Sequence, residues 1–138
     1  MPASVQPPAG QPLALEVDLS GRRHLPSSIP LFMVTNFRSI YNKITNFKTF
    51  LREVAPDCTI ASETWDYQGR RVTLEDMLVD TQYKALAYRR GRGRRGGSCA
   101  IIYNERRFKV EEVNVDKDDE IESVWAVLTP SVGPHATE

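Results

Sequence analysis

The feature that most constrains this chain is an apolar run, a helical stripe and a second short apolar segment in close succession. Ile29 to Thr35 is almost unbroken in its apolar character, as expected of a strand buried on both faces. Ile40, Ile44, Phe47, Leu51 and Val54 then recur at steps of four, three, four and three. That spacing places them on one side of a helix, with Lys43, Lys48 and Arg52 off the stripe. Asn42 is a candidate cap and Pro56 a stop. Asp57 to Glu63, with Cys58, Thr59 and Ile60, follows after a tight connection. A strand–helix–strand unit of this kind favours adjacent parallel strands at 31–35 and 57–63, with a helix over 43–55 crossing between them.

Beyond this unit, Leu74, Met77 and Leu78 suggest a short helix. Strand-like segments follow near Tyr83 to Arg89, Ser98 to Tyr103, Phe108 to Val115 and Ile121 to Leu128. The expected fold class is therefore α/β, a mixed sheet with helices. Residues 1–28 hold five prolines and no sustained apolar period, which reads as a flexible arm. Residues 29–129 form the domain, and 130–138 a tail with Pro130, Gly133 and Pro134.

Eighteen basic and eighteen acidic residues cancel, so the chain as a whole has no polyelectrolyte character. The charge is nevertheless segregated. Lys84, Arg89, Arg90, Arg92, Arg94 and Arg95 stand together without acids, whereas 105–122 carries eight acids against four bases. No apolar run approaches the roughly 18 residues a membrane helix requires, and no secretory signal is visible. The expectation is an intracellular protein, nuclear if it acts on DNA. Cys58 and Cys99 have no CxxC partner, which points to two buried free thiols.

Asn36 and Glu63 end the first two strands. In an open α/β sheet, sites form beyond the carboxyl ends of neighbouring parallel strands, so these residues are expected side by side. An amide and a carboxylate are oxygen donors suited to a hard cation such as Mg²⁺. The alternatives are a turn-forming Asn and an exposed strand-end acid.

The stretch Thr35-Asn36-Phe37-Arg38-Ser39-Ile40-Tyr41-Asn42-Lys43, then Ala55-Pro56-Asp57, Ser62-Glu63-Thr64-Trp65, Gly96-Gly97-Ser98 and Ile121-Glu122-Ser123-Val124-Trp125, resembles the endonuclease/exonuclease/phosphatase superfamily. More narrowly it is similar to the apurinic-type endonuclease domain of non-LTR (LINE-like) retrotransposons, over residues 31 to 129. The resemblance implies the first half of a two-sheet α+β sandwich. It assigns Asn36 to organising the active site and Glu63 to a catalytic Mg²⁺ or Mn²⁺, with DNA as substrate and no small-molecule cofactor. Arg38 stands where repair-type members carry an acid, which favours the retrotransposon subgroup. Ser98 replaces the last residue of the family's glycine triplet, with a small expected cost if positive φ is needed there. The family's downstream Tyr, Asp-x-Asn, further Asp and Ser-Asp-His have no counterpart in this sequence, and His24 and His135 do not replace them. The implied chain is inactive alone, and without a second sheet it would expose an apolar face of Leu31, Met33, Ile60 and Ile101.

The segment Arg89-Arg90-Gly91-Arg92-Gly93-Arg94-Arg95-Gly96-Gly97 has three readings. Its arginines read as DNA phosphate contacts on a hairpin loop, as a solvated hairpin tip, or as an RG tract that makes the protein a nucleic-acid-binding module. Trp65 and Trp125 read first as apolar anchors at core or rim, Phe47 and Phe50 as helix core, and Asp116 to Glu120 as a solvated turn.

Overall fold

The computed structural model describes residues 29–91, 96–115 and 121–131. The arm at 1–28, the loop positions 92–95, the acidic segment 116–120 and the tail at 132–138 lie outside the described residues.

The described residues form a mixed α+β fold with two sheets and few helices. β1 (Phe32–Asn36) is followed by a 3₁₀ turn (Tyr41–Lys43), α1 (Ile44–Val54) and β2 (Cys58–Ser62). Then come α2 (Leu74–Met77), β3 (Tyr83–Tyr88), β4 (Cys99–Asn104), β5 (Phe108–Glu112) and β6 (Ala126–Pro130). The first sheet has the order β1-β2-β4-β3, with β1 and β2 parallel as expected and the other neighbours antiparallel. β3 and β4 form the expected hairpin, in register from Tyr83 opposite Asn104 to Tyr88 opposite Cys99. β5 and β6 make a separate antiparallel pair.

The helical stripe is buried as its spacing requires: Ile40, Phe47, Leu51 and Val54 are all interior, with Phe50 beside them. Ile40, Phe47 and Leu51 pack on one sheet face together with Ala61, Ala100 and Ile102, and Leu74 and Leu78 close the layer. Asn42 does not act as the cap; it lies inside the 3₁₀ turn, and α1 starts without any side-chain cap. α1 ends at Val54, one residue before the left-handed Ala55, which sits immediately ahead of Pro56. α2 has a complete capping box that was not anticipated, in which the Thr73 hydroxyl accepts from Asp76 N and the Asp76 carboxylate accepts from Thr73 N.

β1 departs from the expectation of burial on both faces. Its burial alternates, with Met33 packed toward the helices while Phe32 and Val34 are 45% and 76% exposed. The register carries the uncovered row across the sheet as Val34, Ile60, Ile101 and Leu86. Ile60 and Ile101 therefore lie on the open face as expected, but Met33 belongs to the covered one, and Phe32 and Val34 take the places given to Leu31 and Met33. A uniformly apolar run carries no information about which alternate positions face inward. Phe108 of β5 is buried with its ring 5.9 Å from that of Phe32, so the second sheet covers one end of the open face.

Candidate functional site

The chain direction brings the carboxyl ends of β1, β2 and β3 and the amino end of β4 to one rim of the sheet. Asn36 and Glu63 meet there: Asn36 Nδ2 donates to Glu63 Oε2 at 2.6 Å although 27 positions separate them. Pairing continues past the strand ends, with Phe37 N donating to Ser62 O, Ser39 N to Glu63 O and Ile40 N to Thr64 O, all near 3.0 Å. On the other side of this segment, Thr64 N donates to Ser98 O and Trp65 N to Gly97 O.

These loops are held in an unusual backbone conformation. Among the described non-glycine residues, six have positive φ, and five of them (Arg38, Ser39, Glu63, Trp65 and Ser98) belong to this rim. Each costs about 1–2 kcal/mol in that conformation, and such strain concentrates where structure serves a site. Glu63 itself has φ 49°. Ser98 does require positive φ, at 66°, so its expected cost is real. The hydroxyl offsets it, accepting from Arg90 N at 2.9 Å and donating to Asp66 O at 2.6 Å.

Beneath the rim lies a buried acid that the sequence did not mark as functional. Asp66 Oδ1 accepts from the Tyr41 hydroxyl at 2.5 Å, and Oδ2 accepts from Arg89 Nε at 2.6 Å. Burial, and then the Asp66 hydrogen bond and charge, push the Tyr41 pKa well above the ordinary phenol range. Burial opposes the charge on Arg89, but the Asp66 and Glu75 carboxylates outweigh it and raise its pKa.

The first two arginines of the basic segment are thus turned inward. Arg89 pairs with Asp66 and Glu75, and Arg90 pairs through Nε with Glu122, whose other carboxylate oxygen accepts from Ser98 N at 2.8 Å. Gly97 is small for the same reason, since a Cβ there would collide with the Arg90 guanidinium. The space beside Gly97 is filled by the protein's own Arg90 guanidinium. Arg92, Arg94 and Arg95 lie outside the described residues. The basic and acidic segments of the sequence are joined here by Arg90 and Glu122, 32 positions apart.

Phe47 and Phe50 are core, as expected. Trp65 is half-buried with its indole near Gly96, and Trp125 is a largely exposed rim residue bonded to Ser123. Cys58 is a buried free thiol, whereas Cys99 is only partly covered.

As a cation site, the rim offers hard oxygen donors. Glu63 Oε1 and Asn36 Oδ1 accept no hydrogen bond from the described residues, and Mg²⁺ is commonly held by one or two protein carboxylates with water and phosphate filling its shell. The pair fits such an anchor. Among the described residues no group of three or more His, Cys, Asp or Glu side chains comes together, so the anchor is a minimal one. No described helix is long and apolar enough to cross a membrane. Comparison with protein-family models, curated proteins and solved structures returns no match.

Proposed function

We propose that this chain is the metal-anchoring half of a phosphodiesterase domain of the endonuclease/exonuclease/phosphatase type, related to the DNA endonucleases of non-LTR retrotransposons and inactive without the other half. The observation that carries this reading is the Asn36–Glu63 contact at the carboxyl ends of two adjacent parallel strands. Strained backbone at the same rim supports it. Glu63 holds the cation, and Asn36 Nδ2 orients the Glu63 carboxylate by occupying one oxygen. Mg²⁺ or Mn²⁺, when bound, supplies charge stabilisation at a phosphate. Cleavage also requires a positioned nucleophile and a proton carrier, and no described residue is a His, while His24 and His135 do not stand in the order the family uses.

The test separates anchoring from catalysis. Mn²⁺ uptake, followed by loss of the free-ion electron paramagnetic resonance signal, is expected for the parent chain and not for Glu63→Gln. Plasmid DNA incubated with the chain and Mg²⁺ stays supercoiled. Equal Mn²⁺ uptake by both proteins would refute the anchor. Robust nicking by the parent that is abolished in Glu63→Ala would refute the claim that the other half is indispensable.

A further inference from the structure

Four described arginines are half-buried: Arg70, Arg89, Arg90 and Arg107. Three of them are neutralised by carboxylates, Arg89 by Asp66 and Glu75, Arg90 by Glu122 and Arg107 by Asp57. Arg70 pairs with no carboxylate among the described residues. A guanidinium withdrawn partly from water is ordinarily matched by an anion, so the unmatched one marks a place where an anion can be supplied from outside.

The position of Arg70 is prepared rather than loose. Its guanidinium lies 3.3 Å from the centroid of the Tyr41 ring and 5.3 Å from that of Tyr67. Tyr41 is fixed by the bond from its hydroxyl to buried Asp66. The turn from Tyr67 to Arg70 is closed by Arg70 N donating to Tyr67 O, with Gly69 at φ 83°, and Gln68 N ties that turn to Arg90 O at 2.8 Å. Stacking uses the face of a guanidinium and leaves its N–H donors in the plane, directed outward and available to oxygen. Both supports, Tyr41 and the 67–70 turn, belong to the segments that follow β1 and β2, one starting directly after Asn36 and the other at Glu63.

We infer that Arg70, stacked on Tyr41 and flanked by Tyr67, is a phosphate-binding residue on the rim that carries Asn36 and Glu63. The ligand chemistry is a tetrahedral phosphate oxygen anion, from a nucleic-acid backbone or from free phosphate. The backbone source rests on the phosphodiesterase reading; the anion site itself does not. It also gives the rim a cation among the described residues, where Arg89 and Arg90 are already paired.

The experiment uses the full chain in EDTA, so that no bound metal contributes. A fluorescein-labelled oligothymidylate is titrated by anisotropy over a series of salt concentrations with the parent, Arg70→Gln, Arg70→Lys and Arg71→Gln. Arg71 is the exposed neighbour and controls for net charge. Arg70→Gln is expected to weaken binding roughly tenfold at low salt and to reduce the salt slope by about 0.7, the value for one single-strand phosphate contact. Arg70→Lys recovers only part of this because an ammonium lacks the stacked planar fork. In a second arm, inorganic phosphate is titrated into ¹⁵N-labelled parent chain, and the Arg70 Nε–H resonance is followed. This arm needs no variant to fold. A response to phosphate without any effect of Arg70→Gln on oligothymidylate identifies free phosphate as the source. No response in either arm, or equal losses in Arg70→Gln and Arg71→Gln, overturns the inference. Mn²⁺ uptake by Arg70→Gln stays at the parent level, so failure of the Glu63 anchor and failure of the Arg70 site are read separately.

Discussion

Replacing Asp66 by Ala removes one side chain with no solvent exposure from among three partners, the Tyr41 hydroxyl, Tyr67 N and Arg89. Breaking a buried ion pair by deleting one member costs about 3–5 kcal/mol when the remaining charge has no other compensation. Arg89 keeps Glu75 and is 23% exposed, which moves the estimate to the lower end, about 3 kcal/mol. The orphaned Tyr41 hydroxyl, only half-buried, adds little because water can reach it. For a domain of this size that corresponds to a fall in melting temperature of roughly 12–24 °C. Glu75→Ala removes the other carboxylate from the same guanidinium, but Glu75 is 45% exposed, so its loss costs less than about 1 kcal/mol. Urea unfolding followed by circular dichroism measures both as shifts in midpoint at constant slope. The double variant Asp66→Leu/Arg89→Met, which removes both charges, recovers much of the loss. Asp66→Ala lying within about 1 kcal/mol of the parent, or no more costly than Glu75→Ala, would refute the view that a buried acid holds this rim together.

Three further outcomes are expected. Val34→Lys, on the open face, leaves stability within about 0.5 kcal/mol and raises solubility, whereas Met33→Lys, one position away and toward the helices, prevents cooperative unfolding as seen by circular dichroism. Equal effects would show that the facing of β1 is misassigned. Asn36→Asp places a second carboxylate against Glu63, so Mn²⁺ uptake tightens, while without metal the two like charges raise the pKa of one of them, visible by carboxyl NMR; unchanged Mn²⁺ affinity would count against the pair as an anchor. At alkaline pH the sign follows from raised values. Burial pushes the Cys58 thiol from 9.0 to about 11, so its contribution is complete below the unfolded value and declines as pH rises from about 9 through 11. Tyr41 acts in the same direction at higher pH. Urea midpoints should fall across that range, and less steeply in Cys58→Ala; an identical slope in the variant would remove Cys58 as a cause.

The local patterns determined a good deal. A period of 3.6 in Ile40, Ile44, Phe47 and Leu51 is set by neighbours a few positions apart, so the helix and its buried side were legible before any contact was known. The short connection from that helix to Cys58 made the parallel pairing of β1 and β2 legible, and with it the meeting of Asn36 and Glu63. The β3–β4 hairpin followed from strand-like segments on both sides of a Gly/Arg loop. Only the tertiary structure decided which alternate residues of the apolar run in β1 face inward, because Phe32, Met33 and Val34 are equally apolar and the choice depends on what packs against each side. It also decided the fate of the arginines. Arg89 and Asp66 are 23 positions apart, and Arg90 and Glu122 are 32 apart. A run of like charge reads as a solvated surface until the fold brings distant carboxylates to Arg89 and Arg90. Arg70 is the reverse case: nothing in its local sequence distinguishes it from Arg71, and only the stacking on Tyr41, itself fixed by buried Asp66, sets it apart. Local periodicity is written in the order of residues, whereas charge pairing depends on which distant segments the sheet brings together.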